Sequence, residues 1–132
     1  MDQAWDHVAG LCIGQDISDR PAQFTSSPPH FNLGKSFDTF GPMGPVVATG
    51  LDPMKLTVKT VLNGAERQNY PVSDMLRTPA KLVSEISHDV TLEPGDVFAC
   101  GTNVGVGTMK EPENTVEIVI DGIGTLSNTF KN

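Results

Sequence analysis

The chain has 132 residues, a length that suits one domain with an ordinary core. Its formal net charge of −7, with no cluster of lysines and arginines, excludes a phosphate-neutralising nucleic-acid surface. Thirteen glycines, ten prolines and 6% aromatic residues point to a turn-rich, mainly β chain rather than a helical bundle. No apolar run is long enough to span a bilayer. The N-terminus carries neither a basic region nor the apolar stretch of an export signal, so a cytoplasmic protein with no membrane partner is expected.

In chain order, Met1 to His7 reads as a short helix or lead-in, and Val8 to Ile13 as an apolar strand ended by Gly14-Gln15. Ile17 to Gln23 fits a short helical turn, with Ser18 as cap and Pro21 in its first turn. Phe24 to Asn32 is a loop, because Ser26-Ser27-Pro28-Pro29 holds neither ladder nor helix. Pro42-Met43-Gly44-Pro45 reads as a turn and Val46 to Thr49 as a short strand. Leu56, Val58, Thr60 and Leu62 alternate with Thr57, Lys59 and Val61, the period of a strand with one buried face. Asn63-Gly64 is a hairpin signal, since both positions tolerate positive φ. Ala65 to Tyr70 is then a return strand whose polarity suggests an edge or solvent face. Thr78-Pro79 caps and opens a helix to Ser87, with Leu82, Val83 and Ile86 as its apolar stripe. Leu92 to Asp96 is a tight turn and Val97 to Cys100 a buried strand. Gly101 to Gly107 is a glycine-rich loop. Thr115 to Ile120 alternates with Val116, Ile118 and Ile120 inward, Asp121-Gly122 turns, and Ile123 to Phe130 returns. The expected class is α+β, mainly β.

Three polar positions stand at strand ends: Asp16, Lys35 and Gly101-Thr102. A carboxylate near Arg20 and Lys35 suits a hard metal ion with an anionic substrate, and equally suits a structural ion pair of Asp16 or Asp19 with Arg20. The glycine loop lacks the Gly-Lys-Ser/Thr ending of a phosphate-binding loop. Its N–H groups and the Thr102 hydroxyl suit a carboxylate, or the loop is simply a turn. His7, His30 and His88 have no metal-ligand spacing. Cys12 and Cys100, inside apolar runs and without CxxC spacing, are expected to be buried, reduced core thiols.

Gly14-Gln15-Asp16-Ile17-Ser18-Asp19-Arg20 and Leu33-Gly34-Lys35-Ser36-Phe37-Asp38-Thr39 resemble motifs of the fumarylacetoacetate hydrolase family. So do Gly41-Pro42-Met43-Gly44-Pro45, Ser73-Asp74-Met75, Leu92-Glu93-Pro94-Gly95-Asp96-Val97 and Gly101-Thr102-Asn103-Val104-Gly105-Val106-Gly107. Their order and spacing fit from about Asp6 to the end, nearest to the bacterial 2-hydroxyhepta-2,4-diene-1,7-dioate isomerase and ureidoglycolate lyase branch. The resemblance implies a β-roll of packed mixed sheets with few helices. It implies a divalent metal, Mg²⁺ or Mn²⁺ (Ca²⁺ in some members), and small oxo-acid substrates that are hydrolysed, decarboxylated or isomerised through an enolate. It also implies a homodimer. Carried over, Asp16 resembles the metal-ligating aspartate and Lys35 the lysine beside metal and substrate oxygens. Arg20 and Gln23 match substrate-facing positions. Thr102, with Gly101 beside it, matches the threonine that holds the substrate carboxylate. Asp19 and Pro21 depart from the family's usual small residue and aspartate.

The family's upstream Glu-x-Glu ligands and its lid have no counterpart in residues 1–132. One carboxylate plus water binds Mg²⁺ or Ca²⁺ weakly. The expectation is therefore the C-terminal portion of a single catalytic domain, incomplete at its N-terminus. The rival expectation is a non-catalytic remnant that serves as an assembly or interaction module.

Overall fold

The structure is a computed structural model that describes residues 3–131. Met1 and Asp2, part of the expected lead-in, lie outside the described residues, and Ala4–His7 forms a 3-10 turn. Six strands follow: β1 (Leu11–Gly14), β2 (Met43–Ala48), β3 (Thr57–Leu62), β4 (Ala65–Pro71), β5 (Glu113–Ile120) and β6 (Gly124–Lys131). β1 and β2 form a two-stranded sheet, and the others a four-stranded sheet in the order β4-β3-β5-β6. Every described pairing is antiparallel. The mainly β α+β architecture is as expected, refined in that the sheets are antiparallel rather than mixed.

Local chemistry explains the turns. Asn63 and Gly64, with φ of 50° and 79°, make the two-residue link between β3 and β4. Asn63 also reaches across to β5, where its Oδ1 accepts from the Thr115 amide at 2.8 Å and its Nδ2 donates to Asn114 Oδ1 at 3.0 Å. The helix α2 (Pro79–Ile86) begins where the sequence places it, with the Thr78 hydroxyl accepting from the Lys81 amide. Its Glu85 carboxylate pairs with Lys81 on the same helix and with Arg77 just before the cap. On the edge strand β4, the Lys59 ammonium and then the Asn69 amide hold the Glu66 carboxyl below its ordinary range.

Three sequence expectations need correction. Pro42 to Pro45 is not a turn: β2 starts at Met43, opposite Gly14. Between the pairs Leu11↔Ala48 and Ile13↔Gly44 the register is irregular, and Pro45 falls inside that gap, where its missing N–H breaks no ladder bond. Val97 to Cys100 is neither a strand nor buried: Val97 is 65% exposed and the segment pairs with no strand. An apolar run makes a buried strand only where neighbours supply its hydrogen bonds on both sides. Both cysteines are exposed free thiols rather than core thiols. Cys12 alternates with buried Ile13, so its side chain leaves the sheet on the opposite face. Partial shielding still pushes the Cys100 thiol pKa up.

The core lies where the two sheets meet. Ile13, Ile120 and Ile123 are buried together, flanked by Leu11, Ala48, Leu51, Leu56, Val58, Ile118 and Leu126. Gln15, just past β1, is the polar tie across this junction and is 2% exposed. Its Nε2 donates to the Val116 carbonyl at 2.9 Å and the Leu126 carbonyl at 3.3 Å, and its Oε1 accepts from Asn128 Nδ2 at 3.0 Å. Its own amide donates to the Pro42 carbonyl. One side chain thus joins β1 to both β5 and β6. Gln15→Leu keeps the volume but strands these partners, so thermal unfolding should show a loss of about 2–3 kcal/mol. A melting temperature equal to the wild type would remove Gln15 from this role.

Candidate active site

Asp16 follows Gln15 directly. The Ile17 amide donates to the Gln15 carbonyl at 3.0 Å, closing a three-residue turn with Asp16 at its tip. The buried amide of Gln15 therefore anchors one side of that turn, and the Asp16 carboxylate emerges from it into partial exposure.

The helix α1 (Arg20–Phe24) comes next, with Pro21 in its first turn. Its cap is Asp19 rather than the expected Ser18: Asp19 Oδ1 accepts from the Ala22 amide at 3.0 Å. A carboxylate there satisfies an orphan N–H. Ser18 instead bonds the Asp16 carbonyl. The segment Leu33–Lys35 forms a 3-10 turn against α1, and the Asp19 amide donates to the Gly34 carbonyl at 2.8 Å. Gly34 is required by close approach. A Cβ there would stand 2.2 Å from Gln23 Cγ and 2.8 Å from the Asp19 carbonyl oxygen.

This packing brings four of the sequence candidates together. The Lys35 ammonium is ion-paired and hydrogen-bonded to Asp16 Oδ2. Arg20 Nη1 donates to Gln23 Oε1 at 2.7 Å. The alternative of a structural ion pair between Arg20 and Asp16 or Asp19 is not formed among the described residues: Lys35 takes Asp16 and Asp19 caps α1. Gln23 is wholly buried, and its Nε2 has no hydrogen-bond partner. Gly101 and Thr102 lie elsewhere, in a loop against β4. Among the described residues no hydrogen bond or ion pair joins that loop to Asp16, Arg20, Gln23 or Lys35.

Sequence reasoning gave no role to Gln15 or to Gln68, which holds the glycine loop. Gln68 Nε2 donates to Thr102 Oγ1 and to the carbonyls of Asn103 and Val104. The available signal was its position in β4, two residues from half-buried Tyr70 and hence on the same face.

The divalent metal that the resemblance implies needs a set of oxygen donors. Among the described residues no three His, Cys, Asp or Glu side chains gather closely enough to hold an ion. Of the two carboxylates there, Asp16 is engaged by Lys35 and Asp19 caps α1. Mg²⁺ and Ca²⁺ need several oxygen ligands, so the residues of this chain do not by themselves fit the metal.

A family model described as fumarylacetoacetate (FAA) hydrolase C-terminal matches residues 1–131. The chain belongs to the fumarylacetoacetate hydrolase family. It is 40% identical over 136 residues to the oxaloacetate tautomerase YisK of Bacillus subtilis, covering 96% of this chain and 44% of that protein. The crystal structure of a 2-hydroxyhepta-2,4-diene-1,7-dioate isomerase from Mycobacterium marinum superposes with a TM-score of 0.89 at 40% identity, covering 96% of this chain and 49% of that one. The fumarylpyruvate hydrolase of Pseudomonas aeruginosa, solved in complex with Mn²⁺ and pyruvate, matches with a TM-score of 0.86 at 31% identity, covering 96% and 55%. The chain spans about half the length of the curated relatives it matches.

Gly34→Ala tests how the site is assembled. The added methyl should push α1 from the 33–35 turn and cost about 1–3 kcal/mol. The Lys35–Asp16 contact should loosen with it, visible as altered chemical shifts at both residues. A variant with wild-type stability and spectra would show that the close approach is not needed.

Proposed function

We propose that the protein carrying this chain is an enzyme acting on small 2-oxo or β-diketo acids, by hydrolysis, decarboxylation or keto–enol isomerisation. The observation that carries this reading is the Lys35 ammonium held against Asp16, beside the paired Arg20 and Gln23. The three reaction types share one demand: negative charge gathers on an enolate oxygen, and a fixed cation stabilises it. Lys35 is only partly exposed, and after one hydrogen bond to Asp16 it keeps two N–H donors for an arriving oxygen. Arg20, exposed at the start of α1 and steadied by Gln23, suits a substrate carboxylate. Gln23 then acts from behind Arg20 rather than on substrate, in keeping with its burial. Thr102 is the second candidate for a carboxylate contact.

The named activities of the relatives support this class: tautomerisation of oxaloacetate in one, isomerisation of a dioate in another and hydrolysis of fumarylpyruvate in a third. The Mn²⁺ and pyruvate bound in the last support a divalent metal and an oxo-acid ligand for the family. Asp16 is the residue here that would serve as one metal ligand, with further donors needed beyond those described. In this reading the chain is the C-terminal portion of a single catalytic domain, in a cytoplasmic homodimer with no nucleic-acid or membrane partner. Leu76 at 99% exposure, Val104 at 84% and Val97 at 65% favour burial against protein. The same exposure supports the second reading, a non-catalytic assembly module.

Turnover of enol-oxaloacetate, followed by ultraviolet absorbance on the protein that carries this chain, decides between the two. Lys35→Ala should lower kcat on the order of a hundredfold or more, the scale of losing one charge-stabilising donor. Unchanged turnover would remove Lys35 from the chemistry. No turnover in the wild type, together with a stable metal-independent assembly in sedimentation, would favour the second reading.

A further inference from the structure

Gln68 sits in the middle of β4 with only 9% of its surface exposed, and neither the core nor the Asp16–Lys35 site accounts for it. Burying an amide costs free energy unless its groups are bonded. Its Nε2 lies 2.9 Å from Thr102 Oγ1, 3.0 Å from the Asn103 carbonyl and 3.2 Å from the Val104 carbonyl. Two of these three are carbonyl oxygens, which only accept, so chemistry identifies the group facing them as the amide nitrogen. An amide nitrogen only donates, and its two protons serve these three acceptors, one of them shared. Toward Gln68, therefore, the Thr102 hydroxyl serves as acceptor, and its single proton is left for another partner. Among the described residues nothing accepts it, and residue 102 is exposed.

The loop is also seated by its backbone. The β3 register pairs Thr60 with Gln68 and Val61 with Glu66, so Arg67 is the extra residue of a bulge. Gly105 packs on that bulge with φ of 95°, and a Cβ there would lie 2.1 Å from the Arg67 carbonyl oxygen. Residues 102–105 are thus held at one point by a side chain and at another by contact with the main chain.

We propose that Gln68 is a positioning residue: it fixes residues 102–104 and turns the Thr102 hydroxyl into a dedicated donor for an anionic oxygen of the ligand, the carboxylate of a small oxo acid. This rests on the reading in which Thr102 contacts a substrate carboxylate. A hydroxyl free to rotate would divide its time between donating and accepting. One already accepting from Gln68 meets an anion with its proton outward and no reorganisation.

The test is calorimetric titration with pyruvate, in buffer containing Mn²⁺, of the protein that carries this chain, as the wild type, Gln68→Met, Thr102→Val, Thr102→Ser and the Gln68→Met combinations. Gln68→Met and Thr102→Val should each weaken pyruvate on the order of tenfold, the scale of one hydrogen bond to a charged group. The Gln68→Met/Thr102→Val double variant should bind no more weakly than Thr102→Val alone. With Thr102→Ser, which keeps a hydroxyl, Gln68→Met should still cost its full factor. Losses that multiply in the double variant would make Gln68 a merely structural prop and overturn the proposal. So would wild-type affinity in Gln68→Met while Thr102→Val binds weakly. Undiminished affinity in Thr102→Val, or no pyruvate binding by the wild type, would overturn the carboxylate reading of Thr102 and this proposal with it. Circular dichroism checks folding. If Gln68→Met does not fold, Gln68→Glu, of equal length, should bind weakly at neutral pH and regain affinity as acid protonates its carboxyl and restores a donor. Affinity independent of pH in that variant would overturn the proposal.

Discussion

The buried amide of Gln15 is the interaction on which the arrangement depends. Two sheets meet at a small apolar junction, and among the described residues its buried cluster is Ile13, Ile120 and Ile123. So few side chains specify packing but leave the sliding of one sheet over the other weakly opposed. An amide with three bonded partners on two neighbouring strands opposes it directly. Such a group has one low-energy placement, because any slip leaves polar atoms unpaired in a water-poor interior. Asp16 is the next residue, so the precision of that tie passes straight to the carboxylate.

From there the construction is hierarchical. The turn at Asp16 leads to α1, whose first residue carries the guanidinium. Asp19 both caps that helix and receives the 33–35 turn through its amide. Gly34 permits the close approach, and Lys35 closes the circle by returning to Asp16. The polar groups between residues 16 and 35 thus form one continuous unit with few side chains of their own in the core. Its stability is borrowed from β1, whose far face contributes Ile13 to the junction.

Much of this was legible in the amino acids. Asn63-Gly64, Thr78-Pro79 and the alternation of Thr57 to Leu62 are local signals, and the structure follows them because local sterics and capping decide those elements. The grouping of Asp16, Arg20, Gln23 and Lys35 was legible only as nearness along the chain, and its pairings were not. Which cation takes Asp16 depends on the 33–35 turn folding back, and that depends on the absence of a side chain at Gly34. The segment from Val97 to Cys100 misled because apolarity marks a wish for burial without naming what provides it. Gln15 and Gln68 were invisible for the converse reason. A buried glutamine and a surface glutamine are the same letter, and only the three-dimensional supply of partners separates them.

The bulge at Arg67 has a consequence for the molecule among its neighbours in solution. β4 borders the four-stranded sheet, and a bordering strand offers its free main-chain groups to any passing chain. Here the extra residue breaks the even spacing that an incoming strand would need to zip against, and the glycine loop rests on the carbonyl it exposes. The contact that seats Thr102 therefore doubles as a guard against edge-to-edge aggregation. Substitutions that lift the loop would be expected to lower solubility.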